Sequence, residues 1–189
     1  AADGLFINTS GIGELFDPVP PGPQSIQVGD KVLVSGPIGR HGIAVMSARD
    51  SFAFEPAPKS DSGSVIPQVA ALRDTAGEHL RTIRDATRGG VSAVLHEWAQ
   101  ECGHTFAITE SRVPVTEDVR GACELLGLDP MYVANEGTIV VAVDPLYAEF
   151  AVSALRQVPG CEQAVIIGEV QPKGLSPVTV RRTFGPLQP

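Results

Sequence analysis

The sequence predicts an α/β domain in which a mixed sheet is covered by helices. Short β-branched runs alternate along the chain with apolar-periodic segments of roughly ten residues or more, the pattern of strands alternating with helices. Of the 189 residues, 43% are hydrophobic but only 5% are aromatic, so the core must consist mainly of Val, Leu, Ile and Ala. This length is enough for one such domain and little more.

The first half of the chain opens with a strand-like stretch, Asp3–Gly13, and then a Pro-rich stretch, Asp17–Pro23, which is typical of a linker. A β-branched run and a glycine-led apolar segment follow it. A stretch rich in Pro, Ser and Asp predicts a mobile loop before the next helix. The predicted elements are the strand Lys31–Ser35, a helix from His41 or Gly42 to about Asp50, the loop Glu55–Ser64, the helix Ile66–Thr75 with Val69, Leu72 and Ala76 on one face, and the strand Leu80–Ile83.

A polar turn and two glycines, comprising Asp85, Thr87, Arg88, Gly89 and Gly90, come before the next helix. A helix start offers free backbone N–H groups and a positive dipole end, and the arginine and the Gly-Gly pair suit it to hold a phosphate or carboxylate. Alternatively, Asp85 or Thr87 caps the helix while the glycines allow tight packing. The spacing alone favours neither interpretation.

The helix after this turn carries one apolar stripe at helical spacing, which predicts that one face is buried. The stripe consists of Val91, Val94, Leu95, Trp98, Ala99 and Cys102. In the same way, Thr116 is predicted to cap a helix with a stripe of Val119, Ala122, Cys123 and Leu126, and Asp144-Pro145 to start one with a stripe of Tyr147, Phe150, Ala151, Ala154, Leu155 and Val158. Strands are predicted at Thr105–Thr109, Thr138–Val143 and Ala164–Val170, and we expect Val178–Arg181 to pair with the last of these.

Glu136 is the candidate catalytic residue. It lies between Asn135 and Gly137, just before an apolar strand and after a segment with little charge. Partial burial at such an edge suits a carboxylate to proton transfer near neutrality. A loop glutamate that caps neighbouring N–H groups is the alternative.

Charge and cysteine content exclude several classes of function. The formal net charge is −8 and no Lys/Arg cluster occurs, so nucleic acid and membrane surfaces are not expected partners. The three cysteines form no Cys-x-x-Cys pair, which favours a reducing cytoplasm. Of these, Cys102 and Cys123 are predicted to be core residues, and Cys161 to be an exposed thiol. No metal site is predicted. His96-Glu97 looks like the start of the zinc-protease motif, but Gln100 stands where that motif needs its second histidine.

Three blocks in this order resemble the HypE-type hydrogenase expression/formation proteins, within the group related to aminoimidazole ribonucleotide synthase. They are the segment 29–44, which contains Gly-Pro-Ile-Gly-Arg-His-Gly; the segment 81–103, which contains Asp-Ala-Thr-Arg-Gly-Gly; and the run from Ala-Cys-Glu-Leu-Leu-Gly-Leu-Asp-Pro (122–130) through Asn-Glu-Gly (135–137) into the strand 138–143. The resemblance is continuous from about Ala2 to at least Val143 and weaker to Val180. It implies an α/β domain like the C-terminal domain of that synthase.

The resemblance also implies a function. HypE-like proteins are carbamoyl dehydratases: with ATP and Mg²⁺ they convert a carbamoyl group on a C-terminal cysteine to a thiocyanate, which supplies cyanide to the iron of nickel-iron hydrogenase. By this resemblance, Asp85, Thr87, Arg88, Gly89 and Gly90 face the nucleotide phosphates. Glu136, supported by Asn135 and Gly137, is the base or positions the carboxamide. The implied partners are a carbamoyltransferase and an iron-scaffold maturation protein, with the full-length protein a homodimer.

The same resemblance predicts the domain organisation. Residues 1–23 correspond to the last strand of an N-terminal ATP-binding domain plus a linker, and residues 24–189 to the C-terminal α/β domain. The family's terminal Pro-Arg-Ile-Cys does not occur, so we expect this chain to be inactive alone and to bind no cofactor tightly. The alternatives are a domain of a selenophosphate synthetase or thiamine-monophosphate kinase, and a non-catalytic docking module that uses the loop Glu55–Ser64.

Overall fold

Six strands form one mixed sheet in the structure, a computed structural model that describes residues 4, 8, 10–15, 17–49 and 57–182. The strands are β1 (Lys31–Val34), β2 (Leu80–Asp85), β3 (Thr105–Thr109), β4 (Ile139–Val143), β5 (Val165–Gln171) and β6 (Val178–Arg181). Their order across the sheet is β2-β4-β1-β5-β3-β6. All neighbours are antiparallel except β3 and β6, which are parallel. The predicted fold class is confirmed.

Five α-helices accompany the sheet in the described part of the chain, close to where their periodicity predicts them. They are α1 (Arg40–Arg49), α2 (Ile66–Ala76), α3 (Gly90–Cys102), α4 (Glu117–Leu126) and α5 (Ala148–Leu155). The helix predicted from Asp144 begins later because the Asp144 carboxylate accepts a hydrogen bond from the Leu146 N–H at 2.9 Å, which makes a turn before α5. No helix among the described residues is long and apolar enough to span a membrane.

Helix α3 covers one face of the sheet. Trp98, on its predicted apolar stripe, is fully buried and packs near Phe106 of β3, with ring centroids 6.2 Å apart. Alternate residues of β1 and β4, including Val32 and Val140, supply the sheet side of this core. The predicted burial of the stripe is confirmed, although Cys102 at its end is only half-buried.

Helices α2 and α5 cover the other face, against the opposite residues of the central strands. On α2 the buried positions are Gln68, Leu72 and Ala76, with Val69 half-buried. On α5 the predicted burial of Phe150 is wrong, since this side chain is 63% exposed and Val152 is buried in its place. The helix is apolar on nearly every side, so its sequence fits two orientations.

A smaller cluster joins α1 to α4 through Ile43, Val119 and Cys123. The prediction that Cys123 is a core residue is confirmed, but the prediction that Cys161 is exposed is wrong: it is 3% exposed. No disulfide joins the three cysteines. Burial raises the pKa of each thiol, so all three are poor nucleophiles at neutral pH.

Two further predictions are corrected. Strand β6 pairs with β3, with Phe106 opposite Val178, and does not pair with β5. Thr116 is at the N-cap of α4 but its side chain makes no capping hydrogen bond. The strand predicted at Asp3–Gly13 falls largely outside the described residues, and Asp50 and the first part of the loop Glu55–Ser64 lie outside them too.

Candidate functional site

Three neighbouring strands bring the predicted site residues to one edge of the sheet. Strand β2 ends at Asp85, which is opposite Ile139 at the start of β4. Strand β1 ends beside the same position, since the Ser35 N–H donates to the Ile139 carbonyl at 3.0 Å. Because antiparallel neighbours start and end at the same edge, the turn after β2 and the Asn-Glu-Gly segment before β4 meet there.

Asn135 ties the connections at this edge together. It is fully buried, and its Oδ1 accepts a hydrogen bond from the Gly39 N–H at 2.7 Å. Its Nδ2 donates to the carbonyls of Ala86 at 2.9 Å and Val133 at 3.1 Å. Every side-chain polar atom of Asn135 therefore holds backbone, which fixes the segments around it relative to each other.

The two glycines of the polar turn are required by close packing. Gly90 has φ of +63°, and a Cβ there would lie 2.5 Å from the Met131 carbonyl oxygen and 2.8 Å from that of Val133. No side chain caps the start of α3, whose N-cap is Gly89. The tight-packing interpretation of the glycines is thus correct, whereas neither Asp85 nor Thr87 caps the helix. The first turn of α3 is buried at Gly90, Val91 and Ser92, while Gly89 at its N-cap is exposed.

The other residues of the turn face outward. Asp85 and Arg88 are exposed and Thr87 is half-buried. Within the described residues, neither Asp85 nor Arg88 has an ion-pair partner, whereas nearby Arg84 pairs with Glu97. Arg88 is therefore free to meet an anion from solvent.

Glu136 is exposed, so its predicted partial burial is wrong. Its backbone, however, is held rigidly. The Glu136 carboxylate itself is open to solvent at this edge of the sheet.

Asp61 supplies the anchor for that backbone, and sequence reasoning missed it. Its carboxylate accepts hydrogen bonds from the N–H groups of Glu136, Gly137 and Thr138 at 3.0–3.3 Å. Gly137 permits this approach, because a Cβ there would lie 1.9 Å from the Asp61 carbonyl oxygen. The described part of the predicted mobile loop is therefore tied to the site.

No group of three or more His, Cys, Asp or Glu side chains suited to a metal ion occurs among the residues the structure describes. Asp85 is a carboxylate at the edge of the site, but alone it does not make a metal centre.

Comparison with known proteins shows which family this chain belongs to. Residues 27–181 match the family model described as AIR synthase related protein, C-terminal domain. The chain belongs to this family. All of the predicted site residues lie inside the matched region of this AIR synthase related domain.

Within the family, the domain is similar to HypE proteins, as its motifs predict. It is 43% identical over 184 residues to the carbamoyl dehydratase HypE of Bradyrhizobium diazoefficiens, covering 97% of this chain and 53% of that protein. The chain thus spans about half the length of the curated relative it matches.

Solved HypE structures agree. A HypE–HypF complex matches with a TM-score of 0.83 at 39% identity, over 88% of this chain and 53% of the other. HypE in complex with ATP matches with a TM-score of 0.83 at 34% identity, over 92% and 53%.

A thiamine monophosphate kinase of Aquifex aeolicus shows the fold alone. It is 20% identical with a TM-score of 0.58, over 84% of this chain and 52% of the kinase. The alternative assignment to a thiamine-monophosphate kinase therefore has weaker support than the assignment to HypE.

Proposed function

We propose that this chain is the C-terminal domain of a HypE-like hydrogenase maturation protein, a carbamoyl dehydratase. The observation that carries the proposal is the 43% identity to a carbamoyl dehydratase HypE over nearly the whole chain. Because the chain spans about half of that relative, we propose that an N-terminal ATP-binding domain precedes residue 24 in the parent protein, and that a C-terminal cysteine carries the carbamoyl group.

The proposed reaction removes the elements of water from a protein S-carbamoyl group. Bound ATP would supply an electrophilic phosphoryl group for the amide oxygen. Loss of that oxygen as phosphate and of both protons from the amide nitrogen leaves the thiocyanate, with ADP as the other product. The oxygen thus leaves on phosphorus, and no redox partner is required.

The residues of this chain divide that work. Arg88 and the uncapped N–H groups at the start of α3 offset the negative charge of the phosphates. The Glu136 carboxylate accepts a proton from the amide nitrogen or orients it. Asp61 and Asn135 hold the backbone on either side of Glu136 in place. Mg²⁺ would neutralise charge on the ATP phosphates in the parent protein, and the described residues of this chain contain no cluster that would hold it.

The proposed partners are a carbamoyltransferase, which loads the cysteine, and an iron-scaffold protein, which receives the cyanide. A solved HypE–HypF complex supports the idea that HypE-like proteins bind a second maturation protein. A homodimer of the parent protein and a cytoplasmic location complete the proposal, the latter supported by the three free thiols.

The direct test uses the parent protein with its terminal cysteine carbamoylated. Addition of ATP should convert that cysteine to a thiocyanate, seen by mass spectrometry as the loss of one water per protein, with one phosphate released. Conversion of ATP without any change of the cysteine would refute the dehydratase assignment.

A further inference from the structure

Strand β6 is one edge of the sheet, and the backbone groups on its outer side have no partner strand. Among the described residues, no strand lies beyond β6. The Phe106 N–H donates to the Pro177 carbonyl at 2.9 Å, so in this parallel pair Pro177 and Thr179 direct their backbone groups towards β3. Because the direction alternates along a strand, the N–H and C=O groups of Val178 and Val180 face outward. Such an edge is a template for an added strand.

On the face of the sheet that carries α3, an apolar recess with a polar rim lies along this edge. Its volume is about 210 Å³, and its lining includes Val178 and Val180 of β6, Ile108 of β3 and the nearby Val113 and Met131. Val178 is buried and Val180 is half-buried, so β6 itself presents apolar side chains to the recess. A strand added to β6 would direct every second side chain to this face, where apolar residues fit.

The opposite face of the same edge is polar. Helices α2 and α5 pack against the other strands on this side, and their apolar cluster contains no residue of β3 or β6. A second recess of about 480 Å³ lies there, and its lining includes Thr105, Thr109 and Thr179, with the exposed Arg112 and Arg181. The two faces of the β6 edge therefore differ in chemistry, one apolar and the other polar.

The charges of the polar recess favour acidic groups. Its lining has three cations, Lys31, Arg112 and Arg181, and two carboxylates, Glu149 and Glu169. Lys31 pairs with Glu169 at 2.6 Å, whereas Arg112 and Arg181 have no ion-pair partner among the described residues. A hydrogen bond from Lys31 lowers the pKa of the Glu169 carboxyl, and the charge of Arg181 adds a smaller contribution, which agrees with a place on this face. This face thus has an excess of positive charge in a chain whose net charge is −8.

We propose that the β6 edge is a docking site for an extended segment of a partner protein in which apolar and acidic residues alternate. Such a segment would pair with the backbone of Val178 and Val180, with its apolar side chains over one recess and its carboxylates beside Arg112 and Arg181. A second copy of this chain fits less well, because it brings the same arginines to a face that already has an excess of cations. The proposal is independent of the proposed reaction.

Three synthetic heptapeptides test the proposal on the chain itself. One alternates Glu and Val, the second alternates Lys and Val, and the third has the composition of the first with its valines in one block. Backbone amide NMR should show saturable shifts and slowed hydrogen exchange at Val178 and Val180 with the Glu/Val alternating peptide, which should bind at least about tenfold more tightly than the other two.

Non-specific attraction works against this result, because an acidic chain attracts the Lys/Val peptide. A preference for the acidic peptide therefore reports the local charge of the β6 edge. If the Glu/Val alternating peptide gives no saturable shift, or if either of the other peptides binds as tightly, the proposal is wrong.

Two variants separate backbone pairing from charge. Val180→Pro removes an outward N–H that makes no bond to β3, which an edge strand tolerates, and should weaken binding of the acidic peptide at least about tenfold. Replacing Arg112 and Arg181 together by Gln should also weaken it at least about tenfold. The matched control is Arg182→Gln, since Arg182 lines the apolar recess and pairs with Glu110 at 3.4 Å; it should change the affinity less than about twofold.

Unchanged affinity in a folded Val180→Pro variant or in the double arginine variant would overturn the proposal. If Val180→Pro does not fold, the double arginine variant decides, because both of its side chains are exposed. Sedimentation velocity examines the other occupant of the edge. A chain that dimerises, loses its dimer in Val180→Pro and gives no response to the acidic peptide would show that β6 pairs with a second copy instead.

Discussion

In the proposed reaction Glu136 accepts a proton from the amide nitrogen or orients it, and its replacement by glutamine tests proton transfer separately from folding. Glu136→Gln keeps the size of an exposed side chain but removes its basic oxygen. In the parent protein we expect thiocyanate formation to fall by about 10²–10⁴-fold while carbamoylation and ATP binding persist. Carbamoylated protein should therefore accumulate. If the variant forms thiocyanate at the normal rate, the base lies elsewhere in the parent protein.

Asp61 anchors the backbone around Glu136, and a stability measurement can distinguish this anchoring from the small effect of an ordinary surface charge. Asp61→Asn puts an N–H₂ group against backbone N–H donors, and we expect it to lower the free energy of unfolding by about 1–3 kcal/mol. The matched control is Asp74→Asn on α2, where the carboxylate is 65% exposed and pairs only with the neighbouring Arg73; it should cost less than about 0.5 kcal/mol. Urea unfolding of both variants is the measurement, and equal costs would show that Asp61 anchors nothing.

Asp61 also shows what sequence reasoning does not reach at the residue scale. It lies in a Ser-Asp-Ser-Gly stretch typical of any solvated turn, and its backbone partners are 75 to 77 residues away in the chain. By contrast, Asn135 and Gly90 belong to motifs that stand out in the sequence. The hydrogen bonds of Asn135 and the tight packing at Gly90 are enough to explain why asparagine and glycine occur at these positions, whether or not a ligand binds.

At the scale of elements, the spacing of apolar residues predicts a helix and its buried face when one face of the segment is apolar and the other is polar. Helix α3 has such a stripe, and its bounds and buried residues follow the sequence closely. Helix α5 is apolar almost all round, so its pattern could not show that Phe150 faces solvent. The pairing of β6 with β3 depends on a connection and a register that no local pattern contains.

Trp98 provides the test of the α3 packing. Its indole is fully buried against the sheet, so Trp98→Ala should lower the free energy of unfolding by about 3–5 kcal/mol. Gln100→Ala, two residues along and exposed, is the control and should stay within about 0.5 kcal/mol. A loss below about 1 kcal/mol for Trp98→Ala, measured by chemical denaturation, would show that the stripe is assigned wrongly.

At the scale of the whole molecule, we propose that the domain supplies one side of a nucleotide site. Among the described residues, the exposed Arg88 and the start of α3 are the groups proposed to meet phosphates, and no cluster of ligands for a metal ion occurs. Phosphoryl transfer depends on positioning and on neutralising charge over several oxygens, which one arginine and one helix end do not supply. We therefore expect the remaining groups to come from the proposed N-terminal domain.

The purified chain alone should neither hydrolyse ATP nor accept a carbamoyl group. Phosphate release should stay at the background of buffer, while circular dichroism shows a folded α/β domain. The parent protein, with both domains in one chain, should release phosphate only when its terminal cysteine is carbamoylated, since the amide oxygen is the acceptor. Arg88→Met in the parent should then weaken ATP binding without unfolding the domain, because the side chain is exposed and has no ion-pair partner among the described residues. Phosphate release by the isolated chain above background would show that this domain contains a complete site, and the proposed division of the protein into two cooperating domains would be wrong.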